Sequence, residues 1–340
     1  MHLQFRFLDW NDTWLGPSSK SDHDDRKLMS AFQNYSDPFN CECRAFARLQ
    51  EAGHEELALK CFGYVLLDEA HESGMKSQFA QYSMETSLCF SGDIYNYDQE
   101  ELHRSLYLGK NGRVPPIRGI VKEFGKEEEE ENLRPKLLRK ILRDISKLQQ
   151  LGILGFDVAA RNIINGKFGD FSTAITVPHF LTTPELNPFL TPDMISAMEL
   201  ETFRLSLSDY LEFDMMIFEW NMEYADQKGE ISVNALPGGR GCQIRYDLRS
   251  RTASERVYTF VDPRKYDWRT CPADAGASAG IATNKGRSRR ISSRQLSAKP
   301  PIWYYSCDGE LAEVLRRPDP WDPVIKWDYK EGYIFPLMDR

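Results

Sequence analysis

Residues 157–172 read Asp157-Val-Ala-Ala-Arg-Asn162-Ile-Ile-Asn165-Gly166-Lys-Phe-Gly-Asp170-Phe171-Ser172. Asn165-Gly166, set between Ile163-Ile164 and Lys167-Phe168, is a strong hairpin signal, because a type I′ turn needs positive φ at both central residues. The apolar residues would be content with any hairpin, so the polar ones need a further reason. The turn brings Asn162 and Asp170 together at the open end of the hairpin, with Asp157 on the loop that leads into it. Two carboxylates and one amide converging there can hold a hard cation against phosphate oxygens, chemistry that takes oxygen ligands. Each residue alone is as well explained by hydrogen bonds within its own loop, as Asx residues commonly make. The ordered set shifts the balance toward a site.

The surrounding elements follow from periodicity. Upstream, Leu133, Leu137, Leu138, Ile141, Leu142, Ile145 and Leu148 form one apolar helical stripe that closes near Gly152. The five glutamates 127–131 before it read as a solvated loop or helix start. A strand is expected over Ile117–Phe124, entered through Pro115-Pro116, and residues 70–115 read as an irregular insertion. Residues 57–67 are strand-like. Phe39, Cys43, Phe46 and Leu49 recur at helical spacing between Pro38 and a stop at Gly53, and residues 3–8 alternate as a short strand. Downstream, Met194–Trp220 predicts a second long helix. Residues 273–300 are rich in Ala, Gly, Ser and Arg and are expected to be disordered. The tail from Ile302 regains aromatic residues and is expected to pack back on the body.

Composition excludes several classes. A net charge of −8 disfavours non-specific binding of nucleic acid or an anionic membrane over the whole surface. Arg6 and Asp9 interrupt the apolar N-terminus, so it is no secretory signal, and no apolar run is long enough to cross a membrane. Seven scattered cysteines lack zinc-ligand spacing and read as reduced thiols, with Cys61 expected as a buried small hydrophobe. His71 and His179 read as satisfied polar residues. Between Lys285 and Lys299 lie six basic residues and no acidic one. The segment reads as a solvated linker, with weak nucleic-acid contact as its alternative.

The loop, the hairpin and Asp170-Phe171-Ser172 together resemble the protein-kinase catalytic loop and its D-F-G segment. The phrases DPFNCECRAFARL, CFGYVLL, PPIRGIVKEFG, GDFSTAITVPHF and WDYKEGYIFP are similar to fungal Sim4-complex kinetochore subunits, the second-numbered Fta-type subunit, over roughly residues 1–225 and the last few dozen. The resemblance implies an α+β, two-lobed, kinase-like fold. Its N-lobe (1–124) is truncated and carries the insertion at 70–115. A mainly helical C-lobe follows (125–240), then an insertion (241–300) and a C-terminal segment (301–340). It places Asp157 as catalytic base, Asn162 and Asp170 as magnesium ligands, and Gln4, Glu42 and Glu123 at nucleotide-site positions.

The departures carry as much information. Gly155 and Phe156 stand where the family's His and Arg would be, Ser172 replaces the final Gly, and Gln4 occupies the position of the nucleotide lysine. No glycine-rich phosphate loop precedes it. Two explanations stand: a pseudokinase that keeps the fold, or a Met1 that is not the true start. On the first, Glu42 has lost its strand partner and pairs with Arg6 or faces water, so that Glu42→Gln costs about 1 kcal/mol or less. The expected function is that of an interaction protein with protein partners, of nuclear kinetochore localisation or otherwise cytoplasmic, with no membrane contact. No bound cofactor is expected. The alternatives are an active atypical kinase, or a small-molecule phosphotransferase of the aminoglycoside or choline type, using Mg and ATP.

Overall fold

The computed structural model describes residues 2–5, 26–79, 108, 111–113, 115–126, 133–187, 192–231, 262–264, 269, 305–316 and 326–337. The fold mixes helix and strand. Strand β1 (His2–Phe5) is followed by α1 (Arg26–Ser36), α2 (Pro38–Ala52), β2 (Cys61–Leu67), α3 (Glu69–Phe79) and β3 (Ile117–Lys122). The three strands form an antiparallel sheet in the order β1-β3-β2, with Gln4 opposite Ile120 and Cys61 opposite Lys122. Helix α3 replaces the start of the stretch expected to be irregular, and Cys61 is half-buried rather than buried.

Helix α2 starts where its chemistry allows. Asp37 accepts from the amides of Phe39 (2.9 Å) and Asn40 (3.2 Å), and Pro38 has no amide hydrogen to waste at the first position. Gly53 ends it at φ 70°, a left-handed cap that glycine adopts without penalty. The buried face includes Ala45, Leu49 and Ala52 alongside Glu42 and Arg48.

Next come α4 (Pro135–Gln150), β4 (Ile153–Leu154), the hairpin β5 (Ile163–Ile164) and β6 (Lys167–Phe168), β7 (Ile175–Thr176) and α5 (Pro192–Lys228). Leu138, Ile141, Leu142, Ile145 and Leu148 are all buried, as the stripe requires. Helix α5 runs a full 37 residues, longer than its apolar stretch alone implied. Its buried residues Phe203, Leu207, Tyr210, Phe213, Ile217 and Trp220 pack with α2, α4 and the hairpin in one core cluster. Two arginines clamp α2 to the end of α4 and to the chain at and just after β7. Arg48 donates to the carbonyls of Leu151 and Val177, and Arg44 to those of Thr176 and Pro178. At the C-terminal end, β8 (Tyr305–Ser306), α6 (Gly309–Arg316), β9 (Lys326–Lys330) and β10 (Tyr333–Leu337) form a small unit with strand order β8-β10-β9, and Cys307 packs against the main core. Among the described residues no helix is long and apolar enough to cross a membrane. The glutamate run 127–131 and the segments 273–300 and 285–299 lie outside the described residues, as does Arg6.

His179 gives this region a pH dependence. It is buried, its Nε2–H donates to the Tyr35 carbonyl (2.7 Å) and its Nδ1 accepts from the Leu181 amide (3.1 Å), which fixes the neutral tautomer. Burial pushes its pKa down to about 3. The folded-state value lies below the unfolded one, so the unfolded chain takes the proton first. Stability is therefore complete above the unfolded pKa, about 6.5, and is lost as pH falls towards the folded one. Urea unfolding should show about 1.4 kcal/mol less stability near pH 5.5 than near pH 7.5, in excess of the change in a His179→Gln variant. Equal pH dependence in both proteins would refute this.

Candidate functional site

The hairpin is built as its sequence requires. Asn165 and Gly166 adopt φ 51° and 69°, both positive, and Ile163 pairs with Phe168. At its open end the Gly169 amide donates to the Asn162 carbonyl (2.8 Å), which holds the residue before Asp170 against the end of the loop. Asp157 sits at φ 47°, a left-handed conformation that Asp tolerates better than most residues. The Asn162 side-chain amide donates to both the carbonyl and Oδ2 of Asp157, at 2.9 Å each. Asp170 Oδ1 accepts from the Ser172 amide at 2.7 Å. The structure thus joins Asp157 directly to Asn162, and joins Asn162 to the Asp170 strand end through the backbone.

Glu42 requires a correction. It is 3% exposed, and its Oε1 lies 2.7 Å from Nζ of Lys122, itself 2% exposed. The expectation that it had lost its strand partner fails because the cation comes from the last residue of β3, and not from the Gln4 position on β1. The same oxygen accepts the Phe171 amide (3.1 Å), while Lys122 Nζ also donates to the Gly169 carbonyl (2.7 Å). The ion pair therefore grips the chain on both sides of Asp170. Burial pushes the Glu42 carboxyl up, with Lys122 opposing it and Asp170 reinforcing it.

The other positions separate. Gln4 is placed only through its backbone pairing on β1. Glu123 bonds through its amide to the Lys60 carbonyl (2.8 Å), and its carboxylate lies 3.8 Å from Lys167 on β6. Among the described residues no group of three or more His, Cys, Asp or Glu is placed to hold a metal ion. The side-chain oxygens of Asn162 and Asp170 suit a hard cation only if phosphate and water supply the remaining ligands.

Sequence reasoning missed the support beneath the loop. Asp209, fully buried on α5, accepts the Phe156 amide on one oxygen (3.1 Å) and the Gly155 amide (3.2 Å) and Gln149 Nε2 (3.0 Å) on the other. Burial, with Glu212 nearby, pushes its pKa up to about 8 against those three donors. One turn on, Glu212 accepts the Val158 amide at 2.7 Å. A readable signal existed: Thr202, Ser206 and Asp209 put polar groups at i, i+4 and i+7 along an otherwise apolar face, and all three are buried.

The family profile described as kinetochore Sim4 complex subunit FTA2 matches residues 3–175, from β1 through the sheet, α2, α4, the loop and the hairpin into β7. No curated protein and no solved structure matches the chain.

Proposed function

Because the chain belongs to the kinetochore Sim4 complex subunit FTA2 family, we propose that it is an interaction subunit of a kinetochore complex, built on a kinase-like scaffold that no longer binds nucleotide. Membership of such a complex supports protein partners and a nuclear, kinetochore location. The kinase-like part of the reading is supported by the order of elements. A helix carries a buried glutamate against a sheet lysine, and a hairpin then separates an Asp…Asn loop from Asp170-Phe171-Ser172.

One observation carries the loss of nucleotide binding. The lysine that meets Glu42 is Lys122, enclosed and bonded to the Gly169 carbonyl, so its charge is spent inside the protein. An active kinase also keeps its lysine on the glutamate, so it is the enclosure that matters: at 2% exposure Lys122 cannot reach a phosphate without leaving the Gly169 carbonyl. Without that cation, phosphates lose a charge on which binding and transfer both depend.

The same ion pair favours a second reading, an atypical phosphotransferase. In it Asp157 is the base, Asn162 and Asp170 hold magnesium, and Lys122 swings toward phosphate. A thermal scan separates the two. Under the first reading millimolar Mg-ATP leaves the Tm nearly unchanged, whereas ligand at a hundred times its Kd would add about 2.7 kcal/mol. A clear rise that disappears in Asp170→Ala would overturn the first reading and establish the second. The interaction role is checked by co-elution of the purified chain with the other subunits of a Sim4 complex. A chain that always elutes alone would defeat it.

A further inference from the structure

Beside the catalytic-type loop lies a cleft of about 230 Å³, framed by the loop residues Asp157–Arg161, by Leu133 and by one face of α5. Drug-sized ligands and cofactors fill pockets of about 300–1,000 Å³, so this one is matched to a single long side chain. Its floor is apolar: Met216 and Trp220 are almost fully buried. Its walls carry three carboxylates, from Asp157, Glu212 and Glu219, against one cation, Arg161.

That cation is informative. The Arg161 guanidinium is 67% exposed and lies 2.6 Å from Asp157 Oδ2. The rim therefore already receives a guanidinium, from this chain itself, in a surface pair weak enough to be exchanged. At its rim α5 turns Met215 to solvent, and beyond it Phe218 and Met222, at helical spacing and 42%, 59% and 75% exposed.

We propose that this cleft docks a basic segment of a partner protein. An arginine or lysine enters between Glu212 and Glu219, its methylenes lie on Met216 and Trp220, and a flanking apolar residue of the partner covers Met215 and Phe218. Each part of the surface suits that occupant. Thioethers adapt to irregular apolar shapes, and long basic side chains bury their stems while keeping the charge on the carboxylates. The chain's net charge of −8 also steers a basic partner toward it. The inference rests on the interaction-subunit reading. That reading is judged by nucleotide binding and co-elution and this one by peptide binding, so their failures are distinguishable.

The test is fluorescence anisotropy of the full chain with a labelled peptide containing Leu-Arg-Arg-Leu, against the same peptide with both arginines replaced by glutamine. Saturable binding of the arginine peptide alone is expected. Added salt should weaken it, Glu212→Gln combined with Glu219→Gln should weaken it about tenfold, and Arg161→Ala should tighten it. Glu219 is exposed, so Glu219→Gln alone should leave the Tm unchanged while still weakening binding. No saturable binding, equal binding of both peptides, or indifference to the glutamate substitutions would overturn the proposal. If the peptide binds only after the six basic residues of 285–299 are changed to glutamine, the cleft belongs to the chain's own basic segment, and the partner assignment is overturned.

Discussion

Lys122→Met should lower the free energy of unfolding by about 3–5 kcal/mol, the usual cost of breaking a buried ion pair from one side. The size follows from what remains. Glu42 stays 3% exposed and loses the ammonium group 2.7 Å away. The Gly169 carbonyl loses a donor as well, so the chain on one side of Asp170 is released. The pair's net contribution is a different quantity, because two charges had to leave water to form it. The double variant Glu42→Gln/Lys122→Met removes both charges and keeps an oxygen to accept the Phe171 amide. It should recover much of the loss and fall within about 1–2 kcal/mol of the wild type. Urea denaturation of the three proteins decides the matter. A Lys122→Met loss below about 1 kcal/mol would place the pair at the surface, where such contacts contribute little. A double variant no better than the single would mean that the lysine matters for its packing rather than its charge.

The Glu42–Lys122 pair marks the limit of what is legible in the sequence. The hairpin was legible because Asn165-Gly166 demands a particular backbone, and that local rule needs no tertiary context. Helices α2 and α4 were legible for the same reason: Pro38 and Gly53 punctuate one, and an unbroken apolar stripe marks the other. The α+β character followed. Glu42 was singled out, yet its partner was sought on the wrong strand. Resemblance pointed to Gln4 on β1, whereas sheet register puts Lys122 of β3, at the end of the neighbouring strand, within reach of the helix. A charge that is strand-terminal in sequence gives no sign of being enclosed, since burial there depends on a helix some 80 residues earlier in the chain. Helix α3 was missed because its apolar residues are too few and too scattered to form a stripe. Asp157, Asn162 and Asp170 were expected to converge at the hairpin end; side-chain bonds join Asn162 to Asp157, and the support beneath their loop comes from more than fifty residues downstream.

That support leads to the second large effect. Asp209→Ala should destabilise the fold by about 3 kcal/mol or more, because it leaves the amides of Gly155 and Phe156 without their acceptor in a site that water does not reach. Gln149 Nε2 suffers less, since it also donates to the Ser206 carbonyl at 2.7 Å. Asp209→Asn keeps the shape and one carbonyl oxygen, so it should cost clearly less than Ala. It turns an NH2 toward a donor, so it should still cost something. The two substitutions also differ in where they act. Amide hydrogen exchange at Gly155 and Phe156 should quicken in Asp209→Ala beyond what the global loss of stability explains, because the loop is freed locally while the sheet around Lys122 stays closed. Asp157 stands directly after those amides and Asn162 five residues further on, so a freed loop would loosen the geometry that the docking cleft and the hairpin end share. If Asp209→Ala stays within about 1 kcal/mol of the wild type, the two amides have other acceptors and α5 does not hold the loop in place.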